Sequence, residues 1–191
     1  MTVGARLLRT AMAEILPQTP DWREKAETRS VVEDRMTAFE QTGARLLAER
    51  LRFERRQGTP VAPPQKRLVF RKIRGEDEVL DLMTRVLDGT LDAHSRDDLA
   101  RMSAREAAIR HYEDELAHDR SLRDWWRVAA LPDGTPVGFV TPARNDYHPV
   151  IGYLAVLPEH RGNGYLDEIL AEGTRILAAQ EVPRIRAAPA P

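Results

Sequence analysis

A predicted strand at 149–156 passes through a turn that contains Gly162 and Gly164 directly into a predicted helix at 164–179. The first amides of a helix have no partner inside the helix and carry about half a positive charge, so such a corner suits an anion. The two glycines let a bulky phosphate approach the main chain, and Arg161 adds a positive charge beside them. The passage therefore predicts an anion site at the start of the helix.

Two common phosphate-binding motifs do not fit this turn. A dinucleotide-binding turn has the pattern Gly-x-Gly-x-x-Gly, and the position of the third glycine, counted from Gly162, is Asp167. A carboxylate there would repel a pyrophosphate, which argues against a Rossmann fold. The sequence also contains no Gly-x-x-x-x-Gly-Lys-Ser/Thr, so it gives no support to nucleotide hydrolysis.

The composition excludes several classes of protein. Lys and Arg total 29 while Asp and Glu total 30, a net charge of −1, which provides no basic surface for nucleic acid. The absence of Cys excludes disulfides, Cys nucleophiles and Cys-ligated metal sites. His111 and His118 lie about 10.5 Å apart on one predicted helix, too far to share a metal. With no long apolar run and no signal-peptide cleavage site, we expect a cytoplasmic protein without a metal or a membrane partner.

A proline-rich stretch divides the chain. Residues 57–65 hold three prolines and a glycine, which neither a helix nor a central strand tolerates. We predict a front segment of helix and strand at 1–57, a linker at 58–66 and a main domain at 67–191. In the front segment, the pattern predicts a helix that ends at Gly43 and a strand at about 45–56, although one long amphipathic helix fits 45–56 almost equally well.

The main domain mixes strands with helices. Strands are predicted at 67–73 and 149–156, a hairpin at 125–131 and 137–141, and a further strand from 182. Helices are predicted at 77–87, from Ser103, which forms a capping box with Glu106, and at 164–179. The last helix carries the apolar residues Leu166, Ile169, Leu170, Ile176 and Leu177. This mixture predicts an α/β or α+β fold.

The glycine turn resembles motif A of the GCN5-related N-acetyltransferases, the GNAT family. That motif reads Gln/Arg-x-x-Gly-x-Gly/Ala after a strand that ends in Val-x-Pro, and here Val156-Leu157-Pro158 precedes Arg161-Gly162-Asn163-Gly164-Tyr165. Arg161 matches the first motif position and Gly164 the fourth. The sixth is Leu166, which either crowds the turn or packs in the core. The resemblance extends over about residues 67–187, including the predicted hairpin.

The resemblance implies a GNAT-like fold, with a mixed, mostly antiparallel sheet flanked by helices, and acetyl-CoA as the cosubstrate without a metal. The acetyl group would pass directly to the amine of a small molecule or peptide, and a homodimer is a further expectation. Main-chain groups of Leu154 and Val156 would pair with the pantetheine arm, and the amides of the turn would hold the pyrophosphate. The implied cofactor-binding residues are Leu154, Val156, Arg161, Gly162, Asn163, Gly164 and Tyr165.

His148 is the predicted catalytic base. Many family members place an acid or a histidine on the fourth strand, facing the substrate. Alternation along the strand puts His148 on one face with Val150, Gly152, Leu154 and Val156. A loop histidine without a catalytic role is the competing interpretation.

The end of the sequence departs from the family. The resemblance implies a helix and two strands after the fifth strand, whereas the sequence ends in Ala-Ala-Pro-Ala-Pro just after the strand predicted from 182. We therefore expect a C-terminally truncated form of the fold, half of an assembly or a rearranged version. The front segment, with its helix, Gly43 and Arg/Leu-alternating strand, is similar to the absent helix and strand. A catalytically silent GNAT-like binding or interaction module is the alternative function.

Overall fold

The protein is described here from a computed structural model of the 191-residue chain. The structure describes residues 6, 9, 10, 13, 36–47, 53–116, 123–144, 149–180 and 183–187. The chain divides into two compact units, Met1–Leu47 and Ala48–Pro191. None of the helices in the described ranges is both long enough and apolar enough to cross a membrane. The same ranges contain no group of three or more side chains suited to a metal ion.

In the first unit, residues 36–40 are helical and a turn follows at 41–43. Gly43 has a φ of 95°, in the left-handed region that ends many helices, so the predicted helix end is confirmed. Residues 44–47 form neither helix nor strand, and 48–52 lie outside the described residues. The strand predicted at 45–56 is therefore wrong at its start and confirmed at 53–56, which also excludes one helix through the whole segment.

Among the described residues of the second unit, six strands form one sheet. In chain order they are β1 (Phe53–Arg56), β2 (Val69–Lys72), β3 (Arg127–Ala130), β4 (Pro136–Arg144), β5 (Pro149–Val156) and β6 (Arg184–Ala187). The order across the sheet is β1-β6-β5-β4-β3-β2, and every neighbouring pair except β5 with β6 is antiparallel. The predicted mixed, mostly antiparallel sheet is thus confirmed.

The helices of the described part of this unit are α1 (Glu76–Val86), α2 (Ala93–Leu99), α3 (Ala104–His111) and α4 (Tyr165–Ala178). A π-helical turn, Tyr112–Leu116, continues α3. Ser103 and Glu106 form the predicted capping box at the start of α3. The sequence pattern does not predict α2, because its seven residues have no apolar stripe from which to recognise a helix.

β1 joins residues from before the proline-rich stretch to the main sheet. Phe53 pairs with Ala187 and Arg56 with Arg184, so β1 forms the sheet edge next to β6. The division into 1–57, 58–66 and 67–191 stays a prediction, and the structure adds that a strand before the proline-rich stretch pairs with a strand near the other end of the sequence. A rearranged version of the fold likewise requires the strand of the front segment to lie in the main sheet.

Two apolar clusters cover the two faces of the sheet. On one face α1, α3 and the π-helical turn pack over a cluster that includes Trp126 and Phe139. On the other face the cluster includes Val140 and, from α4, Ile169. Gly173 allows α4 to lie close to the sheet, since a Cβ there would come within 2.7 Å of Val140 Cγ2. This close packing holds α4 directly against β4 and β5.

Not all the apolar side chains that the sequence places on α4 are buried. Ile169 and Leu177 are fully buried, as expected of a face that packs on a sheet. Leu166 and Leu170, one helical turn apart, are 46% and 37% exposed. The first turns of α4 therefore present two large apolar side chains outside the core.

Candidate functional site

The sheet opens between β5 and β6. These parallel strands pair at one described position, Val150 with Arg186, after which β5 continues to Val156 beside β4. From 151 to 156, the other side of β5 therefore has no strand partner among the residues that the structure describes. An unpaired strand side presents main-chain N–H and C=O groups that a ligand can use.

The register shows which main-chain groups of β5 face this opening. The Leu157 N–H donates to the Val137 carbonyl at 2.8 Å, so Leu157 and, by alternation, Ala155 are the positions hydrogen-bonded to β4. Leu154 and Val156 fall between these positions, and their main-chain groups consequently point away from β4. The structure thus places the two strand residues named in the sequence analysis on the open side.

A glycine turn connects β5 to α4 after a short 3-10 turn at Pro158–His160. Gly162 and Gly164 have φ angles of 81° and 69°, a left-handed conformation that costs other residues about 1–2 kcal/mol. Gly164 is the N-cap of α4, and no side chain from the described part of the chain caps this helix. An added Cβ on Gly162 would meet nothing within 4 Å, so the space beside Gly162 is open. The first amides of α4 are therefore available to a ligand.

Arg161 points from the turn towards the C-terminal end of α1. Its guanidinium donates to the carbonyls of Val86 at 2.7 Å, Asp88 at 3.1 Å and Gly89 at 3.0 Å. A cation at this end of a helix is favourable, because the last carbonyls there have no partner inside the helix. The sequence predicts this charge beside a phosphate, whereas in the structure the guanidinium binds the carbonyls at the end of α1.

A second contact joins the turn to α1. Glu159 forms an ion pair with Arg85, and both side chains are about half exposed. A main-chain hydrogen bond within its own residue, reinforced by Arg85, holds the pKa of Glu159 below its usual value. Glu159 is thus an ionised surface residue in contact with α1.

Arg67, which precedes β2, also binds the turn. Its guanidinium donates to the carbonyls of Asn163 at 2.9 Å and Gly164 at 2.8 Å. The Asn163 side-chain amide donates to the carbonyls of His160 at 3.0 Å and Arg161 at 3.3 Å. The sequence motif does not predict this role of Arg67, because no local pattern connects it with a turn 96 residues later.

Two side chains in the first turn of α4 border the candidate site. Leu166 occupies the motif position where the family has Gly or Ala, and its exposure shows that it does not pack in the core. Asp167 is exposed in the same helical turn. Its carboxylate is favourable beside the helix start but opposes an anionic ligand at the same place. Both residues affect how well a phosphate fits here.

His148 lies outside the described residues, together with 145–147. The alternation on which its prediction depends changes phase at Gly152, which has no partner on β4 and forms a bulge. Ile151, just before this bulge, packs in the same cluster as Leu154 and Val156. Alternation therefore no longer places His148 on their face, and its catalytic role stays a prediction without that support.

Comparison with known proteins shows the family. The sequence model of the acetyltransferase (GNAT) family matches residues 90–190, more than half of the chain. The crystal structure of a GCN5-related N-acetyltransferase from Sphaerobacter thermophilus is similar in fold, with a TM-score of 0.68 at 17% identity over 98% of this chain. The present chain spans 58% of the length of that protein. Among curated proteins, none matches this sequence.

The resemblance seen in the glycine turn is therefore confirmed by an independent family match and by the fold. The matched residues include β5, the turn and α4, which form the candidate site. The chain belongs to the acetyltransferase (GNAT) family.

Proposed function

We propose that the chain is an acetyl-CoA-dependent N-acetyltransferase that modifies the amine of a small molecule or peptide. One observation carries this proposal: the unpaired side of β5 leads to the uncapped start of α4. The unpaired side of a strand presents a row of main-chain N–H and C=O groups, which suits the amide-containing pantetheine arm. The helix start offers amides to a diphosphate. Coenzyme A contains both groups, so the residues present fit the donor that the family implies.

The structure supports a division of binding groups. The Arg161 N–H already donates to the Pro158 carbonyl at 3.2 Å, which leaves the amides of 162–165 for the diphosphate. The Val156 carbonyl accepts from Arg161 Nε at 3.4 Å, so its N–H remains for the pantetheine arm, next to the main chain of Leu154. Bound acetyl-CoA would supply an acetyl group activated as a thioester. Donors already fixed by the fold stabilise developing negative charge without further reorganisation.

Acetyl transfer makes one bond and breaks another. The acceptor nitrogen forms a bond to the acetyl carbon, the carbon–sulfur bond breaks, and the coenzyme leaves as a thiolate. The amine loses a proton in this exchange, and His148 is our candidate for the base that accepts it. Direct transfer needs no protein nucleophile, which agrees with a chain that has no Cys. A cytoplasmic location and a homodimer stay predictions.

Calorimetric titration with acetyl-CoA tests the proposed donor site. We expect about micromolar binding by the wild-type protein and compare two variants, Gly162→Asp and Gly162→Asn. Asp and Asn have nearly the same size and both tolerate a positive φ, so the pair differs in charge. A diphosphate at the turn predicts at least about tenfold weaker binding to the Asp variant than to the Asn variant. Equal affinities would contradict a diphosphate at this position.

Thiol release with a panel of amines tests the transfer itself. A primary amine that raises the rate of release above the rate of acetyl-CoA hydrolysis would identify an acceptor class. His148→Gln should lower kcat and remove the rise in rate with pH if the imidazole takes up the proton. An unchanged pH profile would assign the base elsewhere.

A catalytically silent GNAT-like module is the second candidate, and two observations favour it. Leu166 replaces the small motif residue and is exposed beside the turn, and the Arg161 charge is engaged with α1. Both features weaken a site for an anionic coenzyme. No heat on titration with acetyl-CoA or coenzyme A, for a protein that is folded by circular dichroism, would support this candidate over the enzyme.

A further inference from the structure

Arg67 makes more contacts to the start of α4 than its place in the sequence indicates. Besides the Asn163 and Gly164 carbonyls, its guanidinium carbon lies 5.0 Å from the centre of the Tyr165 ring. Its Nε lies 3.6 Å from Glu168 Oε2, whose side chain is 2% exposed. One guanidinium therefore joins two carbonyls, an aromatic ring and a buried carboxylate, all within the turn and the first residues of α4.

These contacts fix the direction of two peptide planes. In a trans peptide, the C=O of one residue and the N–H of the next point in opposite directions. Because Arg67 holds the carbonyls of Asn163 and Gly164, the N–H groups of Gly164 and Tyr165 point away from the guanidinium. These amides belong to the set that the proposed function assigns to the diphosphate.

The Asn163 side chain has a similar effect on a third peptide plane. Its Nδ2 donates to the Arg161 carbonyl at 3.3 Å, which directs the Gly162 N–H away from the Asn163 amide. Gly162 and Gly164 both have a positive φ, so this part of the turn accommodates the required plane directions without strain. The side chains of Arg67 and Asn163 thus order the turn before a ligand arrives.

Glu168 fixes Arg67 in turn. Its other oxygen, Oε1, accepts from the Leu68 N–H at 3.4 Å, so the carboxylate bridges the main chain next to Arg67 and the guanidinium itself. A buried carboxylate needs a cation partner, because an isolated charge is costly in a site away from water. The Arg67 side chain is 40% exposed and its ion pair with Glu168 is 3.6 Å long, so the buried carboxylate attracts the guanidinium towards the turn without a hydrogen bond to Oε2.

We infer that Arg67 is a positioning residue for the donor site: its guanidinium fork aims the amides of Gly164 and Tyr165 at the diphosphate of coenzyme A. This inference rests on the proposed function and names a residue outside the family motif. The role depends on two parallel N–H groups in fixed geometry, which arginine has and lysine lacks.

The test compares three variants by titration with coenzyme A. Arg67→Lys keeps the charge and removes the fork, and we expect about tenfold weaker binding, equivalent to the loss of one charge-assisted hydrogen bond. Arg67→Met combined with Glu168→Gln removes the fork without leaving a buried charge unpaired, and we expect a loss at least as large. Lys72→Met is the matched control, because Lys72 pairs with Asp124 at the other end of β2. This variant should bind coenzyme A with wild-type affinity.

Steady-state kinetics separate positioning from general damage. Arg67→Lys should raise the KM for acetyl-CoA, with kcat at saturating donor and the KM for the amine near their wild-type values. Wild-type affinity for coenzyme A in both Arg67 variants would overturn the inference but leave the proposed function standing. Wild-type affinity in Arg67→Lys alone would also overturn it, because the effect would then depend on the charge and not on the fork. Absence of binding by the wild-type protein would refute the proposed function, and this inference with it.

Discussion

Replacing Arg161 by Met removes a guanidinium that holds the glycine turn against α1, while it keeps the length of the side-chain stem. Three carbonyls lose their donor at the end of α1 and in the residues that follow it, and the Val156 carbonyl loses a fourth bond of 3.4 Å. The bond to the Val86 carbonyl is partly buried, and the bonds to Asp88 and Gly89 are exposed. The variant therefore tests whether this motif residue acts on the fold or on the ligand.

The expected loss of stability follows from the three bonds at the end of α1, because the 3.4 Å bond to Val156 is long and exposed. A partly buried bond from a charged donor contributes about 1 kcal/mol net, and each exposed one about half as much, so the total is about 2 kcal/mol. For a chain of this length, that loss corresponds to a fall in Tm of about 4–8 °C. The Tm of Arg161→Lys should lie between those of Arg161→Met and the wild type, because an ammonium keeps the charge at the helix end but not the several donors of a guanidinium.

Thermal unfolding followed by circular dichroism measures the effect, with Arg96→Met as the control. Arg96 is exposed on α2, and its side chain makes no hydrogen bond or ion pair with the described residues, so this change should cost less than about 0.5 kcal/mol. If Arg161→Met unfolds at the same temperature as the control but binds coenzyme A far more weakly, the guanidinium contacts the ligand and the reasoning from the α1 carbonyls is refuted.

Three other outcomes follow from the packing, the charge at the site and the ion pairs. Gly173→Ala should lower Tm by an amount equivalent to about 1–3 kcal/mol, because the clash with Val140 outweighs a gain in helix propensity of about 1 kcal/mol; a higher Tm would contradict the close packing. Asp167→Asn should tighten acetyl-CoA binding about two- to fivefold at low ionic strength, and an unchanged Kd would remove the diphosphate from the start of α4. The hydrogen bond from Arg71 lowers the pKa of Glu78 from 4.5, so its stabilisation is present above that value and is lost as the pH falls through the lowered pKa. Urea unfolding measured from about pH 6 to about pH 3 should therefore show a smaller decrease in the free energy of unfolding for Glu78→Gln than for the wild type. An equal decrease in both proteins would show that the Arg71–Glu78 pair is not linked to folding.

Periodicity and caps predicted most elements of the second unit, because those elements bury an apolar face or carry a local signal. Ser103 and Glu106 show this for α3, and α2 shows the limit. Asp92 caps α2 by accepting from the Ser95 N–H at 2.8 Å, and the fully buried Asp98 accepts from an arginine of α3. A helix stabilised by polar groups that pair with a later helix leaves no apolar stripe in its own residues.

The candidate site divides in a similar way. The motif predicted the turn and the start of α4, because glycine spacing and a helix start are local properties of the chain. The motif did not predict the direction of the Arg161 side chain or the hydrogen bonds from Arg67 to the turn. Both depend on segments that are more than 70 residues apart in the sequence and that the fold brings together. The bulge at Gly152 removed the alternation behind the assignment of His148, since one extra residue in a strand exchanges its faces.

The short pairing of β5 with β6 has a mechanical consequence. β1 and β6 form a narrow ribbon of four residues on each strand, and among the described residues one ladder pair, Val150 with Arg186, joins this ribbon to β5. Two-stranded ribbons are marginally stable alone, so transient detachment of this edge needs less free energy than melting of the central strands. Detachment of this edge would widen the open side of β5, where we propose that acetyl-CoA binds, while the central strands keep their hydrogen bonds.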